Sequence, residues 1–273
     1  MSLTRINSNI QALKSLSALK QVNEKLNIHQ NRIATGKRIN SAAEDPAGYH
    51  LATKLESRKR GLDMALHNVK NAQNILNVAE DGYKNIMDML QTIKEKATQA
   101  ADYSLSSSQR SAIDEQVNAM ISEVDDIVDE TTFNGKNLIN GGFEGKFHTG
   151  ERAQDELKVS LSSADSAALN LNNLNLTTQN GASSAISTTS KAIDKLASNI
   201  QNVGQYKTRL QSKENMLTSA STNTEAVRSS IEDADLAQEQ MKLSQLKIRQ
   251  ETALTALTQA NSSPQAVLSL FGG

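Results

Sequence analysis

The sequence predicts a mainly α-helical fold: a long antiparallel helical hairpin or coiled-coil bundle with a small β-rich tip and terminal helices that pair as a coiled coil. Apolar residues recur at spacings of three and four through most of the 273 residues. Aromatic residues make up only 3% and there is no Trp, which suits the narrow apolar row of a long helix better than a compact core. A stretch rich in Asn and Gly, near the middle, interrupts the helical pattern.

The N-terminal segment, residues 1–40, is predicted to contain the first helix, which carries one narrow row of apolar side chains, here called its seam. The spacing slips once and then resumes, and the seam positions are Leu3, Ile6, Ile10, Leu13, Leu19, Val22, Leu26 and Ile33. An isolated helix with so narrow a seam is marginal in water. We therefore expect this helix to become ordered against the other end of the chain and against further copies of it.

A break between helices is predicted for residues 34–48, and the second helix follows it. Asp45-Pro46 supplies an N-cap and then proline at the first helical position. Ser41 and Glu44 have capping-box spacing, which is a competing start for the same helix. From Pro46 the periodicity continues for about 55 residues, a length of about 80 Å at the rise of an α-helix.

A third helix and the β-rich tip come next. Ile113, Val117, Met120, Val124 and Ile127 continue the helical spacing after a short Ser-rich break, so the second and third helices are expected to be antiparallel neighbours. Turn signals then fill residues 133–178, in which Leu157, Val159 and Leu161 alternate with polar residues as in a half-buried strand. The Asn-Gly pairs that begin at Asn134, Asn140 and Asn180 all predict turns.

The chain is expected to return through a helix over residues 182–232 and to end in a C-terminal helix over residues 234–273. The C-terminal seam contains Leu243, Leu246, Leu254 and Leu257. Ser263-Pro264 repeats the pattern of Asp45-Pro46, so it predicts a new helix start close to the C-terminus.

Composition and motifs argue against several functional classes. There is no Cys, and the four His residues form no pair with metal-ligand spacing, so we expect no enzyme activity and no cofactor. The acidic residues Asp125, Asp126, Asp129 and Glu130 are interpreted as a solvated helix face rather than a cation site. A net charge of −1 does not favour nucleic-acid binding, and no apolar run is long enough to span a membrane. The N-terminus also lacks the apolar region of a cleaved signal peptide.

Several segments, in the right order along nearly the whole chain, resemble bacterial flagellins. Residues 38–48 resemble the segment that joins the inner and outer core helices of that family, with Arg38, Asp45, Pro46 and Gly48 as its characteristic positions. Further matches are Ile6, Asn9 and Ala12-Leu13 near the N-terminus, Thr132–Gly135, the segment Ile231–Asp235, and Gln259–Leu270.

The resemblance implies a structural subunit that polymerises into the flagellar filament, is exported unfolded without a signal peptide, and assembles at the distal tip outside the cell. Residues 1–40 and 234–273 would form the inner tube, and residues 44–180 and 182–232 the outer tube. Expected partners are further copies of the chain, an export chaperone at the C-terminal seam, the filament cap and the hook–filament junction proteins. The alternatives are a hook–filament junction protein and a coiled-coil scaffold unrelated to flagella.

One departure from the family concerns the vertebrate innate receptor for flagellin. Many flagellins read L-Q-R-x-R-E-L on the second helix, where this receptor docks, whereas this chain has Thr92 at the recognised Arg and Lys96 at the recognised Leu. Gln116 aligns with an acidic contact on the next helix. The resemblance therefore implies weak recognition by that receptor.

Overall fold

The computed structural model describes the backbone of residues 8–271 and the side chains of residues 8–262. It confirms the predicted class: long helices that pack against each other, with a small β region. The helices are α1 (Ile10–Thr35), α2 (Pro46–Ala100), α3 (Ser107–Glu130), α4 (Gln179–Glu232) and α5 (Leu236–Phe271). The strands are β1 (Thr132–Phe133), β2 (Lys136–Asn137), β3 (Glu144–His148) and β4 (Glu156–Ser160). No helix in the described part of the chain combines the length and the apolar character that a membrane crossing requires.

The chain divides into two compact units. One is the continuous segment Arg58–Thr222, and the other combines Met1–Ser57 with Asn223–Gly273. The first is called the core unit below and the second the terminal unit.

The core unit is built on one apolar cluster shared by α2, α3, α4 and the β region. In α2 the apolar residues at three-and-four spacing from Leu62 to Ala100 are all buried, and small Ala residues alternate with larger side chains. Helices α2 and α4 are antiparallel, because Ser221 Oγ donates to Asp63 Oδ1 at 2.7 Å whereas Lys207 Nζ donates to Glu80 Oε2 at 2.6 Å, further along α2. Residues further along α2 thus contact residues nearer the start of α4.

Helix α3 begins at a capping box, as its sequence allows. The Gln109 amide donates to Ser106 Oγ at 3.3 Å, and the Ser106 amide donates to Gln109 Oε1 at 2.9 Å. The buried residues of α3 are Ile113, Val117, Ile121, Val124 and Val128. The predicted positions Met120 and Ile127 lie at the edge of this row and are partly buried.

Two short antiparallel hairpins form the β region. Asn134 and Gly135 connect β1 to β2 with φ values of 50° and 75°, the left-handed turn that an Asn-Gly pair favours. Strands β3 and β4 pair from Glu144 with Ser160 to His148 with Glu156. Leu157 and Val159 are buried, as their alternation with polar residues predicts.

The turn predicted at Asn180-Gly181 is wrong, because both residues lie in the first turn of α4. A Cβ atom on Gly181 would meet the carbonyl oxygen of Asn175 at 2.3 Å. The glycine therefore permits a close approach by the preceding loop, and its amide donates to Thr178 Oγ1 at 3.1 Å. Glycine is therefore needed at residue 181 because the Asn175 carbonyl lies so close, and the resulting Asn-Gly pair looks in the sequence like a turn signal.

The helix start predicted at Ser263-Pro264 is also wrong, because α5 continues through this position to Phe271. Proline in a helix interior removes one amide donor, so it weakens a helix without always ending it. The periodicity on both sides of Pro264 belongs to a single element.

The solvated-face interpretation is wrong for Asp125, which holds the loop after the β region. Its two carboxylate oxygens accept from the backbone amide and the hydroxyl of Ser166, each at 2.7 Å. Ser166 is 41 residues away in the sequence, so the acidic pattern alone gave no sign of this contact.

Helix α2 approaches the end of α3 closely at Gly82. A Cβ atom there would meet Thr131 Oγ1 at 2.6 Å and Thr131 Cγ2 at 2.8 Å. The neighbouring Tyr83 is fully buried and donates its hydroxyl to the Ser162 carbonyl at 2.5 Å. Burial raises the pKa of Tyr83 above its ordinary value, so its phenol remains protonated.

We expect Gly82→Ala to destabilise the core unit by about 1–3 kcal/mol, because overpacking forces neighbouring side chains or backbone to move. Gly204→Ala is the matched control, since Gly204 also lies in a helix but has open space where the Cβ would be. That control should raise the free energy of unfolding by up to about 1 kcal/mol. Urea unfolding followed by circular dichroism measures both, and two changes of the same sign would contradict the close approach at Gly82.

Candidate self-assembly site

The terminal unit is organised by the pairing of α1 with α5, here called the terminal pair. The two helices are antiparallel: Asn9 Nδ2 donates to the Ala260 carbonyl at 2.7 Å, and Gln250 Nε2 donates to Asn23 Oδ1 at 2.7 Å. Their apolar contact is small, with Leu26, Leu243 and Leu246 buried and Val22 and Ile33 packed against them. The pairing agrees with the predicted coiled coil of terminal helices.

The predicted seam residues therefore fall into different environments. Leu19 and Leu257 are half-buried, while Ile10, Leu13 and Leu254 are 53%, 62% and 46% exposed. Leu3 and Ile6 lie outside the described residues. Of the ten seam positions that the structure describes, five therefore lie outside the apolar cluster between α1 and α5.

Other exposed apolar residues of the terminal pair were missed by the seam prediction. Three of them lie between the chosen positions and two precede the first chosen position of α5, at sites where a narrow seam should be polar. The missed residues are Leu16, Ile28, Leu236, Met241 and Ile248. Together with Ile10, Leu13 and Leu254 they make eight exposed apolar residues, here called the exposed terminal set. Their apolar character at positions off the seam is the signal that could have found them.

A buried carboxylate joins the two helices of the terminal pair. Glu239 on α5 contacts His29 Nδ1 on α1, and its other oxygen lies 3.6 Å from Arg32 and 3.5 Å from Lys242. Arg32 also contacts Glu44 at 3.1 Å, just before α2. Burial raises the pKa of Glu239, but the contacts with His29, Lys242 and Arg32 outweigh it and hold the pKa below its ordinary value of 4.5.

We expect the stability that Glu239 contributes to be present above pH 4.5 and to be lost as the pH falls through its lower folded-state pKa. Melting temperatures of the helical signal, measured from pH 7 to pH 3, should show this acid-dependent loss in the native chain. Glu239→Gln should be less stable at neutral pH and should show a smaller loss on acidification. Glu251→Gln, an exposed position on the same helix, is the control; an equal change in both variants would contradict the assignment.

The break between α1 and α2 is held by backbone pairing with the break between α4 and α5. Gly36 ends α1 in the left-handed conformation with φ 70°, and its carbonyl accepts from the Ala234 amide at 2.9 Å. The Arg38 amide donates to the Glu232 carbonyl at 2.6 Å, and the Arg38 guanidinium donates to the Ile231 carbonyl at 2.5 Å. Arg38 is thus tied to the returning chain twice.

The other predicted joint residues form the start of α2. Asp45 Oδ1 accepts from the Gly48 amide at 2.9 Å, and Pro46 is the first helical residue. A Cβ on Gly48 would meet Asp45 Oδ2 at 2.5 Å and Ile39 Cδ1 at 2.6 Å, so glycine allows this cap to close over a buried isoleucine. The competing start at Ser41 and Glu44 is a turn rather than a helix.

A cluster of charges reinforces the same region. Arg228 contacts Glu225 at 2.5 Å, Glu232 at 2.7 Å and Glu56 at 3.4 Å. Lys37 reaches Glu232 at 2.6 Å, next to its backbone bridge with Asp233. The carboxylates of Glu225 and Glu232 raise the pKa of Arg228, with Glu225 the larger contributor, so Arg228 keeps its positive charge. Composition did not reveal this cluster, because its members come from separate parts of the sequence.

The receptor-equivalent positions lie on the core unit. Thr92 and Lys96 are one turn apart on α2 and are half-buried, while Gln116 on α3 is exposed. Thr92 Oγ1 donates back to the Asp88 carbonyl at 3.0 Å, so its polar group is satisfied within the helix.

No group of three His, Asp or Glu side chains among the described residues has metal-binding geometry. The chemistry of the terminal unit is that of apolar burial, helix capping and ion pairing, which are the means of association between helices.

Comparison with known families is decisive. Residues 6–144 match the bacterial flagellin N-terminal helical region, and residues 184–271 match the bacterial flagellin C-terminal helical region. The chain belongs to the bacterial flagellin family. It is accordingly a structural subunit of the bacterial flagellar filament, and this family is structural rather than enzymatic.

Relatives match this flagellin over almost its entire length. Flagellin FlaB1 of Treponema pallidum is 29% identical over 97% of this chain and 99% of its own. The flagellin of Listeria innocua is 29% identical over 98% and 99%, and that of Bacillus subtilis is 27% identical over 98% and 99%.

Solved structures support the fold. Bacillus cereus flagellin has a TM-score of 0.50 at 23% identity, covering 59% of this chain and 94% of its own. A putative flagellar hook-associated protein from Vibrio parahaemolyticus has a TM-score of 0.60 at 11% identity, covering 70% and 100%. At these identities the likeness concerns the fold alone and does not favour the junction-protein alternative.

Proposed function

We propose that this flagellin polymerises through the terminal pair. Residues 1–40 and 234–273 form the inner tube of the filament, and residues 44–180 and 182–232 form the outer tube. The observation that carries the proposal is the exposed terminal set, eight large apolar side chains on two helices whose mutual contact buries only a small cluster.

Energetics supports association at this surface. Full burial of a Leu or Ile side chain contributes about 1.5–3 kcal/mol, and exposed apolar surface of this kind marks interaction sites. Neighbouring copies would complete the burial that one chain leaves unfinished. Helices with marginal stability of their own then gain order as they assemble.

Before assembly the same surface needs protection. We assign an export chaperone to the C-terminal seam, at Leu243, Leu246, Leu254 and Leu257, as a helix-in-groove partner. Since Leu243 and Leu246 pack on Leu26 in the terminal pair, chaperone binding there competes with the docking of α1. The subunit then passes out of the cell and is added beneath a cap, in a filament joined to the hook by junction proteins.

Seeded elongation tests the inner-tube assignment. Purified monomer is added to filament fragments, and growth is followed by light scattering and electron microscopy. A chain lacking residues 1–33 should retain the folded core unit, which has its own apolar cluster, and should fail to elongate the seeds.

Point variants sharpen this test because they leave the chain complete. Leu13→Ser with Leu254→Ser should raise the critical concentration for elongation at least tenfold, since both side chains are exposed and would be buried only on assembly. Lys14→Ser with Thr255→Ser changes adjacent exposed polar residues and serves as control. Elongation by the truncated chain, or equal effects of the two double variants, would refute the assignment.

We also propose weak recognition by the vertebrate receptor for flagellin. Thr92 lacks the bidentate guanidinium and Lys96 lacks the apolar contact, and each loss at a hot spot costs about 1 kcal/mol or more. Thr92→Arg with Lys96→Leu should raise the response of receptor-bearing reporter cells about tenfold or more. A native chain that already equals a strong agonist would contradict this proposal.

A further inference from the structure

Pro264 leaves one backbone carbonyl of α5 without its intrahelical partner. In an α-helix the amide of each residue donates to the carbonyl four positions earlier, and proline has no amide hydrogen. Helix α5 continues from Leu236 to Phe271 through this position, so the carbonyl of Ala260 lacks the donor that residue 264 would otherwise supply. Ala260 is buried, and a buried carbonyl without a partner is costly.

Asn9 supplies the missing hydrogen bond from the other end of the chain. Its side-chain Nδ2 donates to the Ala260 carbonyl at 2.7 Å. Its Oδ1 accepts from the Ala12 amide at 3.0 Å, which is the N-cap interaction that starts α1. Only one orientation of the amide satisfies both contacts, so the two bonds are made together.

We propose that Asn9 is a positioning residue that sets the register of α1 on α5 by pairing with the carbonyl that Pro264 leaves free. The inference rests on the proposed function, since a correctly registered terminal pair is what assembles. It adds a role for Pro264 as well: the proline marks one point on α5 instead of ending the helix.

Register needs such a mark because the apolar contacts alone do not define it. A seam that repeats every three or four residues allows one helix to slide by a turn and still bury similar side chains. Carbonyls within the body of α5 are occupied by amides of the same helix, except where residue i+4 is proline. Pro264 is the only proline in α5, so Ala260 offers the matching acceptor at a single position.

Other described polar contacts between the helices, such as Gln250 with Asn23 and Glu239 with His29 and Arg32, join one side chain to another. Gln250 and Asn23 bond through two flexible side chains, which can adjust to a shifted register. The Asn9 bond instead connects a residue fixed by its own capping contact to a backbone atom. It therefore couples the beginning of α1 to the position of α5.

The substitution Asn9→Asp keeps the capping bond from the Ala12 amide and removes the bond to the Ala260 carbonyl. Aspartate is an equally good N-cap and is favoured at a helix N-terminus, but its carboxylate cannot donate to Ala260. Pro264→Ala restores an amide hydrogen at residue 264, so the Ala260 carbonyl no longer depends on Asn9. The two single variants and the double variant form a double-mutant cycle.

The readout is the critical concentration for elongation of native seeds. Asn9→Asp should raise it about fivefold to tenfold. Pro264→Ala should raise it to a smaller extent, because an amide at residue 264 then competes with Asn9 for the Ala260 carbonyl and the acceptor is no longer unique. In the double variant the effect of Asn9→Asp should fall to about twofold or less, because the carbonyl is satisfied within α5. A purely local role of Asn9 in capping α1 predicts no loss in Asn9→Asp and no rescue.

Two outcomes would overturn the inference: elongation by Asn9→Asp at the native critical concentration, or equal losses caused by Asn9→Asp in the presence and absence of Pro264. Thermal unfolding should show a core unit as stable as in the native chain, since Asn9 and Pro264 both lie outside it, and the total helical signal checks that each variant is folded. The chain lacking residues 1–33 separates the two proposals. If it elongates seeds, the proposed function fails; if it does not and Asn9→Asp behaves as native, only the register inference fails.

Discussion

The burial of apolar side chains is complete in one unit of this flagellin and incomplete in the other, and most of its properties depend on this contrast. The core unit closes its seams within one chain, with Val69, Leu76 and Ile86 fully buried. Among the described residues of the terminal pair, the buried apolar residues are Leu26, Leu243, Leu246 and Ala260, each 6–8% exposed. A narrow seam provides little area, so the terminal pair relies on hydrogen bonds and on the buried Glu239 as well. Its remaining apolar residues are available for further copies.

Elements with strict local periodicity could be predicted from the sequence. The predicted length of α2, about 55 residues from Pro46, agrees with the 55 residues observed. The prediction succeeds because the three-and-four spacing has no interruption and Asp45-Pro46 encodes the start. Strand β4 follows from the alternation of Leu157 and Val159. Two of the three errors share a cause: Gly181 and Pro264 are signals of chain breaks when considered locally, but in the structure their roles depend on Asn175 and on α5 as a whole. Local rules give the backbone conformations that a residue allows, and tertiary contacts determine which of them the chain adopts.

The candidate site was harder to predict than the fold. Arg38 and Gly48 were found through resemblance, Asp45 and Pro46 through capping rules as well, and the geometry supplies a physical reason for each. Pairwise contacts such as Glu239 with His29 could not be inferred, since nothing in one helix specifies its partner in another. Exposure was also beyond the sequence: spacing selects Leu13 and Leu26 equally, yet only Leu26 is buried in one chain. These assembly roles remain proposals, whereas membership of the flagellin family does not depend on them.

The position of Tyr83 has an optical consequence. The chain has no Trp, so its near-ultraviolet emission comes from four Tyr residues, and none of them lies in α1 or α5. Tyr83 is enclosed in the core unit and bonded to Ser162, whereas Tyr103 is almost fully exposed. Three of the four tyrosines lie in the core unit and Tyr49 lies in the α2 part of the terminal unit, so α1 and α5 give no tyrosine emission of their own.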